Sequence, residues 1–239
     1  LQAKETKAPS YLIRFSHVAA PQSHKNLGAL KFKELAEKYT NGAVRVEVYP
    51  NSLLYKDKEE LEALQLGAVE MLAPSLSKFA PLGIKSFEIF DLPYLFRDLK
   101  DISKITDGPI GQELLNQLKD KGFVGLAYWN NGFKILSANK SLLQPEDVLG
   151  LKMRIQSSRV IEEQMLALGA IPQVLAFSEA YQALSSGVVD GTENTLSNMY
   201  NQKMFEVQRH ATLTFHGFLG YAVLINKKFW DSFPPSLQE

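Results

Sequence analysis

The sequence predicts an α/β protein with two lobes and a ligand crevice between them. An internal repeat is the first observation: ALQLGAVEMLAPSL at 63–76 is similar to ALSSGVVDGTENTL, which stands 120 positions later at 183–196. The repeat extends upstream, where Gly42-Ala43-Val44 and Gly169-Ala170-Ile171 each open an apolar run. Each half therefore reads strand–helix–strand–helix–strand, which is typical of a parallel sheet flanked by helices. One continuous sheet with a chance resemblance between its halves is the alternative.

Hydrophobic periodicity and turn residues define the elements of the first lobe. Strand, helix, strand, helix and strand are predicted at 11–18, 27–39, 44–49, 58–66 and 69–73. Asn41-Gly42 marks a turn, and Asp57 is expected to cap the second helix. Gly67 suits the left-handed residue that stops this helix. A helical segment follows at 101–121, interrupted near Pro109.

The second lobe begins where the chain first crosses over. The strand at 124–129 is expected to turn at Asn130-Asn131-Gly132 into a strand at 133–138, and we take this turn as the first crossing. Further strands and helices are predicted at 151–156, 159–168, 173–177, 178–186, 191–194 and 196–208, before 211–226 returns to the first lobe. We therefore assign residues 1–131 and 218–239 to lobe one and residues 132–217 to lobe two.

Composition excludes several classes of protein. Lys plus Arg and Asp plus Glu both number 26, and the formal net charge is zero. Nucleic-acid binders normally carry a basic excess, so we expect no nucleic-acid partner. No apolar run approaches the roughly 20 residues that span a bilayer. The absence of cysteine excludes disulfides and thiolate chemistry. The opening LQAKETKAPS is typical of a processed N-terminus whose signal peptide has been removed.

Enzyme signatures are also missing. The sequence contains no dinucleotide-binding or phosphate-binding glycine loop, no nucleophile elbow and no zinc-protease helix motif. The histidines lack metal-ligand spacing, so we expect no metal site. His17 ends a strand, where a hydrogen-bonded structural histidine is favoured over a ligand contact. The acid pairs Glu59-Glu60 and Glu162-Glu163 are expected to be solvated on helix surfaces.

Polar side chains collect at the carboxyl ends of the predicted strands, where α/β proteins bind ligands. They lie at 17–25, 75–78, 154–158 and 193–195. Arg154 stands inside the apolar strand LKMRI, where an unpaired charge would be costly. Its planar guanidinium fits a carboxylate or a phosphate, but an internal ion pair with Asp or Glu would also satisfy it. Lys134 is a second cation, which either faces the same cleft or is solvated on its strand.

Several long motifs, in order, are similar to those of one known family. They are FSHVAAPQSHKNLGALKFKELAEKYTNGAVRVEVYPNSLL, PSLSKFAP, YWNNGFKILSANK, PEDVLGLKMRIQSS, GAIPQVLAFSEAYQAL and VVDGTENTLSNMYNQKMFEVQ. From Tyr11 onward the chain resembles the solute-binding proteins of TRAP transporters, and most of all the dicarboxylate-binding, DctP-type branch. The resemblance implies a periplasmic-binding-protein-like fold, a periplasmic location and no cofactor. It also implies a small organic-acid ligand and an ion-driven integral-membrane permease as partner; we expect a monomer.

The resemblance assigns roles to individual residues. Arg154, in G-L-K-M-R, corresponds to the arginine that makes a paired contact with the ligand carboxylate. Asn194, in D-G-x-E-N, corresponds to a further ligand contact, and Phe177, in A-F-S-E-A-Y, to the aromatic that packs against the ligand. Lys134 stands where sialic-acid-binding members carry a second arginine.

Two departures from those members indicate a smaller anion. Ser75 stands where they carry an acidic residue, and Gln156-Ser157-Ser158 departs from their Pro-Asn pairing. With the likeness to the dicarboxylate-binding branch, we expect a C4-dicarboxylate such as succinate, malate or fumarate; a 2-oxo acid or a sugar acid would also present a carboxylate to Arg154. Lys25 is the expected cation at its second end, and Tyr221 is expected to supply a hydroxyl from lobe one.

Three functions remain open, of which the resemblance favours a transport binding protein. A sensory domain would use the same pocket, and a hydrolase or isomerase would need a nucleophile–base pair such as His216 with Glu193. Family members continue past F-W-x-x-F-P into a further helical segment. This chain stops at Glu239, so the resemblance leaves open whether the sequence is truncated there.

Overall fold

The computed structural model describes residues 10–239, and the expected processed N-terminus falls largely outside them. The strands are β1 (Tyr11–Ser16), β2 (Val44–Tyr49), β3 (Met71–Leu72), β4 (Phe123–Ala138), β5 (Lys152–Ile155), β6 (Ile171–Val174), β7 (Gly191–Thr195) and β8 (His210–Asn226). The helices are α1 (His24–Tyr39), α2 (Glu60–Leu66), α3 (Leu99–Thr106), α4 (Pro109–Gln117), α5 (Arg159–Ala167), α6 (Ala180–Ser185), α7 (Leu196–Asn201), α8 (Lys227–Asp231) and α9 (Pro235–Gln238). Short 3₁₀ turns link several of them.

Within residues 10–239 the strands form one mixed sheet in the order β2-β1-β3-β8-β4-β7-β5-β6. β1 is parallel to β2 and β3, and β5 is parallel to β6 and β7. The long strands β4 and β8 run antiparallel through the middle. We call β1–β3 with α1 and α2 the first half, and β5–β7 with α5 and α6 the second half. The repeat is therefore real, and its two halves share one continuous sheet.

Local sequence signals explain several boundaries. Gly67 (φ 76°) follows α2 and Gly187 (φ 72°) follows α6, each in the left-handed conformation expected of a helix-stopping glycine. Ser158 caps α5 by accepting a hydrogen bond from the Ile161 N–H. Pro109 opens α4, where its missing N–H has no helical partner to lose.

The predicted turn at Asn130-Asn131-Gly132 is wrong. β4 continues through these residues, and its pairing with β8 shifts register between Asn130 and Gly132. Gly132 has φ 124°, a conformation that suits a bulge as well as a turn. β8 pairs with β4 on both sides of Gly132, so the chain does not reverse its direction there.

Two helix predictions need correction. Asp57 does not cap α2: the helix starts at Glu60, and the Asp57 carboxylate instead pairs with Lys78. The helix predicted at 196–208 ends at Asn201, because Lys203 adopts a left-handed backbone (φ 55°).

Buried side chains form clusters in each half. In the first half, Phe15, Val46 and Met71 pack with residues of β8. In the second half, Met153 and Ile155 of β5 pack with Ile161 of α5. Among the helices of residues 10–239, none combines the length and the apolar composition needed to cross a membrane.

Candidate functional site

A charged cavity lies between the two halves. Its lining residues come from both: Val18, Lys25, Asp57, Glu60, Ser75, Lys78, Arg154, Gln156, Phe177, Asn194, Asn198, Leu219 and Tyr221. The space between these residues measures about 380 Å³, part of which is open to solvent. Most of these residues lie near or after the carboxyl ends of the parallel strands β1, β2, β3, β5, β6 and β7, as the parallel-strand rule predicts.

A larger groove of about 1020 Å³ lies elsewhere, along β4 and α5. Apolar side chains such as Leu136, Met165 and Leu168 dominate its lining, which includes no Lys, Arg, Asp or Glu of the described residues. An anion would find no charge partner there, so the smaller cavity is the candidate site.

Arg154 is 2% exposed and reaches the cavity from the end of β5. Its Nε and Nη2 atoms both donate to the Leu175 carbonyl, at 3.1 and 2.8 Å. Within the described residues it forms no ion pair, so the internal-pair alternative fails. Burial lowers the pKa of Arg154, although Asp57 and Glu193 act in the opposite direction. The guanidinium lies 5.8 Å from the centre of the Phe177 ring.

Lys25 enters the cavity from the first turn of α1. Its Nζ donates to the Ala73 carbonyl at 2.9 Å and lies 3.5 Å from the centre of the Tyr221 ring. Burial lowers the pKa of Lys25 to about 8, while Glu60 and Asp57 raise it. The Tyr221 hydroxyl is engaged with Asn131 and Asn198, and burial raises the pKa of Tyr221 to about 12. Tyr221 therefore presents its ring, rather than a free hydroxyl, beneath the lysine.

Asp57 and Lys78 form a buried ion pair at 2.8 Å. The other Asp57 oxygen accepts a hydrogen bond from the Phe177 N–H at 3.1 Å, which joins the two halves. Burial favours a higher pKa for Asp57, but Lys78 and the Phe177 N–H outweigh burial and leave that pKa lowered. Asp57 is consequently held as a carboxylate.

Ser75, Gln156 and Asn194 supply neutral polar groups. Ser75 Oγ donates to Gln156 Oε1 at 2.6 Å and also joins the halves. Asn194 Oδ1 accepts from the Thr195 N–H at 2.8 Å and from Asn198 Nδ2 at 2.9 Å. With its oxygen so occupied, Asn194 has its amide hydrogens to offer to a ligand.

Lys134 and Ser157 do not line the cavity. Lys134 is 1% exposed, and its Nζ lies 3.1 Å from Glu193 and 3.5 Å from Asp91, so it is neither solvated nor facing the cleft. Ser157 is partly exposed at the turn before α5. A lysine so tightly enclosed by carboxylates has a structural role in this fold.

The other titratable candidates also lie apart from the cavity. His216 Nε2 is 4.0 Å from Glu193, and neither residue lines it. His17 is fully buried, with Nε2 3.1 Å from Asn26 Oδ1, as a structural histidine should be. Among residues 10–239 no group of three or more His, Asp or Glu side chains is arranged to hold a metal ion.

Sequence reasoning missed Asp57 and Glu60 as cavity residues. Glu60 was expected to be solvated, yet it is 1% exposed and shares a buried helix face with Ala63 and Leu64. That spacing of three and four residues was the available signal. Asp57 gave no such signal, because the loop that carries it has no periodicity.

The described arrangement is closed. Between the two halves, Lys56 pairs with Glu179 at 2.9 Å, and Lys58 Nζ donates to the Val174 carbonyl at 3.3 Å. Together with the Asp57–Phe177 and Ser75–Gln156 hydrogen bonds, these contacts hold the halves against each other.

A family model described as bacterial extracellular solute-binding protein, family 7 (DctP), matches residues 15–239. The C4-dicarboxylate-binding periplasmic protein DctP of Rhodobacter capsulatus is 66% identical over 231 residues, 97% of this chain and 69% of that protein. The C4-dicarboxylate-binding protein DctB of Bacillus subtilis is 43% identical over 225 residues, 94% of this chain and 64% of that protein. The chain thus spans about two thirds of the length of these curated relatives.

Solved structures agree in fold. A TRAP periplasmic solute-binding protein from Sulfurospirillum deleyianum, with bound succinate, superposes with a TM-score of 0.92 at 49% identity. The match covers 96% of this chain and 74% of that one. A homologous protein from Pseudomonas aeruginosa, with bound L-malate, has a TM-score of 0.92 at 46% identity, covering 95% of this chain and 79% of that one.

Proposed function

Because the chain belongs to family 7 of the bacterial extracellular solute-binding proteins, we propose that it captures a C4-dicarboxylate such as succinate, malate or fumarate. The observation that carries the proposal is the enclosed cavity, in which Lys25, Lys78 and Arg154 meet. Relatives named for C4-dicarboxylate binding, and neighbours that hold succinate and L-malate, support the choice of ligand.

One ligand carboxylate is assigned to Arg154. The edge of the guanidinium formed by Nε and Nη2 is taken by the Leu175 carbonyl, which leaves the edge formed by Nη1 and Nη2 for a carboxylate. Asn194 would donate its amide hydrogens to the same ligand, and Phe177 would pack against it. Lys25 is assigned to the second carboxylate, and Ser75 and Gln156 are assigned to the part of the ligand between its two carboxylates.

The bound acid would be handed to an integral-membrane TRAP permease, and the protein would act as a monomer without catalysis. A sensory role would use the same cavity. The enzyme alternative has weaker support, because its candidate pair, His216 and Glu193, stands outside the cavity.

Calorimetric titration with a matched set of acids tests the ligand class. We expect succinate, L-malate and fumarate to bind at least ~100-fold more tightly than butyrate, which has the same number of carbon atoms but one carboxylate fewer; this ratio is about 2.7 kcal/mol. Equal affinity for butyrate and succinate would overturn the dicarboxylate assignment.

A further inference from the structure

Glu60 places a carboxyl group of the protein in the cavity that we assign to a dicarboxylate ligand. It enters from the first turn of α2, is 1% exposed and lines the cavity beside Lys25. Among the described residues its carboxyl group has no hydrogen-bond donor and no ion pair; only burial and the charges of Lys25, Asp57 and Lys78 act on it.

Asp57, the other carboxyl group of the cavity, is placed differently. It is paired with Lys78 at 2.8 Å and accepts the Phe177 N–H at 3.1 Å. Both contacts favour the charged form. Of the two carboxyl groups, Glu60 is therefore the one that can accept a proton at least cost.

The charges of the closed cavity also favour protonation of a carboxyl group. Lys25, Lys78 and Arg154 against Asp57 and Glu60 leave a net charge of +1 when all are ionised. A dicarboxylate brings two negative charges, so the closed complex would retain one uncompensated negative charge away from water. Such a charge is costly in a buried site, and one proton removes it.

We propose, resting on the dicarboxylate function above, that Glu60 takes up a proton from solvent when the cleft closes over its ligand. The dianion is then held in an electrically neutral complex. The neutral Glu60 carboxyl group has an O–H to donate to the ligand, which an ionised carboxylate lacks. Proton uptake by Glu60 thus allows the closed cavity to hold a doubly charged ligand.

The groups that face Glu60 come from several elements: Lys25 from α1, Asp57 from the preceding loop, Lys78 from the turn after β3, and Tyr221 from β8. Burial raises the pKa of Glu60 to about 7, against the effect of Lys25, and Asp57 raises it further. Carboxylates of a bound ligand act in the same direction as Asp57. Lys25, whose pKa burial lowers to about 8, is the rival acceptor of the proton.

Titration calorimetry with succinate, in buffers of different ionisation enthalpy, counts the protons. For the unaltered protein we expect uptake of about one proton near pH 7, and affinity that falls by up to about tenfold per pH unit as pH rises from about 6.5 to 8. Glu60→Gln should bind succinate with an uptake near zero at pH 7 and an affinity nearly independent of pH over that range. Glu62→Gln, on the exposed face of the same helix, should behave like the unaltered protein.

The outcomes are distinct. If the unaltered protein binds succinate without proton uptake, the inference is overturned. This measurement does not depend on the folding of a variant. Uptake that persists at pH 7 in Glu60→Gln moves the proton to another group, such as Lys25, and also overturns it. An unaltered protein that binds no dicarboxylate at all defeats the proposed function itself.

Discussion

Arg154 offers two edges of its guanidinium to two different partners. The Leu175 carbonyl takes one edge and fixes the side chain, and we assign the other to the ligand. Arg154→Lys keeps the charge but loses the fork. We expect succinate affinity to fall by at least about thirtyfold, or ~2 kcal/mol, measured by titration calorimetry.

Arg159→Lys is the matched control, because Arg159 is exposed on α5 and should tolerate the change. The melting temperature of the ligand-free Arg154→Lys variant separates binding from folding. A large drop in melting temperature, with affinity reduced only in proportion to the unfolded fraction, would mean that Arg154 stabilises the fold. Unchanged affinity would refute the paired contact.

His17 should make stability depend on pH. Burial lowers its pKa to about 4, with a smaller contribution from Lys25, while the hydrogen bond with Asn26 acts in the opposite direction. The unfolded imidazole titrates near pH 6.5, so on acidification the unfolded chain gains its proton first. The contribution is complete above about pH 6.5 and is lost as pH falls towards about 4, by up to ~3 kcal/mol.

His17→Gln keeps a donor for Asn26 but cannot titrate. Urea unfolding at intervals from about pH 7 to 4 should therefore show a shallower loss of stability in this variant. His24→Gln, an exposed neighbour, should keep the steeper slope. Equal slopes in His17→Gln and the unaltered protein would contradict the prediction.

At this scale the sequence revealed residues whose chemistry conflicts with their surroundings. Arg154 was conspicuous because an arginine inside an apolar strand needs a partner. Lys134 looked similar, but its partners Asp91 and Glu193 come from distant segments, and nothing local shows which carboxylate a buried lysine will meet. Asp57 was assigned to a helix cap, because a pairing with Lys78 depends on the tertiary fold.

At the scale of elements, β4 owes its course to two glycines with different roles. Gly132 has φ 124° but open space where a Cβ would be, whereas a Cβ on Gly191 of β7 would lie 2.2 Å from the Ser137 carbonyl of β4. Gly132→Ala should cost ~1–2 kcal/mol of unfolding free energy from backbone strain alone. Gly191→Ala should cost about 3 kcal/mol or more, because the backbone of β4 would have to move.

Denaturant unfolding of the two variants and the unaltered protein measures which substitution lowers the free energy of unfolding more. A Gly132→Ala variant less stable than Gly191→Ala would contradict the steric argument. The prediction of a turn at Asn130-Asn131-Gly132 failed for the same physical reason. A glycine with positive φ serves a bulge and a turn equally, and only the position of β8 distinguishes them.

At the scale of the whole molecule, the repeat made the two-lobed fold predictable. Corresponding elements of the two halves occupy equivalent places, with orders β2-β1-β3 and β6-β5-β7 on either side of β8 and β4. The continuity of the sheet was harder to foresee, because it depends on two strands long enough to serve both halves. Lobe boundaries near 131 and 217 stay a prediction, which the register shift at Asn130/Gly132 and the positive φ of Phe215 (48°) support.

These boundaries imply rotation of the lobes about the middle of β4 and β8. The ion pair between the halves, Lys56–Glu179, is about half exposed and so contributes little. Without ligand the cavity also encloses an excess positive charge. We therefore expect the ligand-free protein to populate an open form and succinate to shift the population to the closed one.

Small-angle X-ray scattering tests this closure. Saturating succinate should lower the radius of gyration towards about 18 Å, the value for a compact chain of 239 residues. Arg154→Ala should show no compaction at the same succinate concentration, because the ligand loses its main charge partner. Butyrate, with one carboxylate, should leave the unaltered protein open. Scattering curves that coincide with and without bound succinate would mean that the closed arrangement is also the resting state, and that ligands enter without rotation of the lobes.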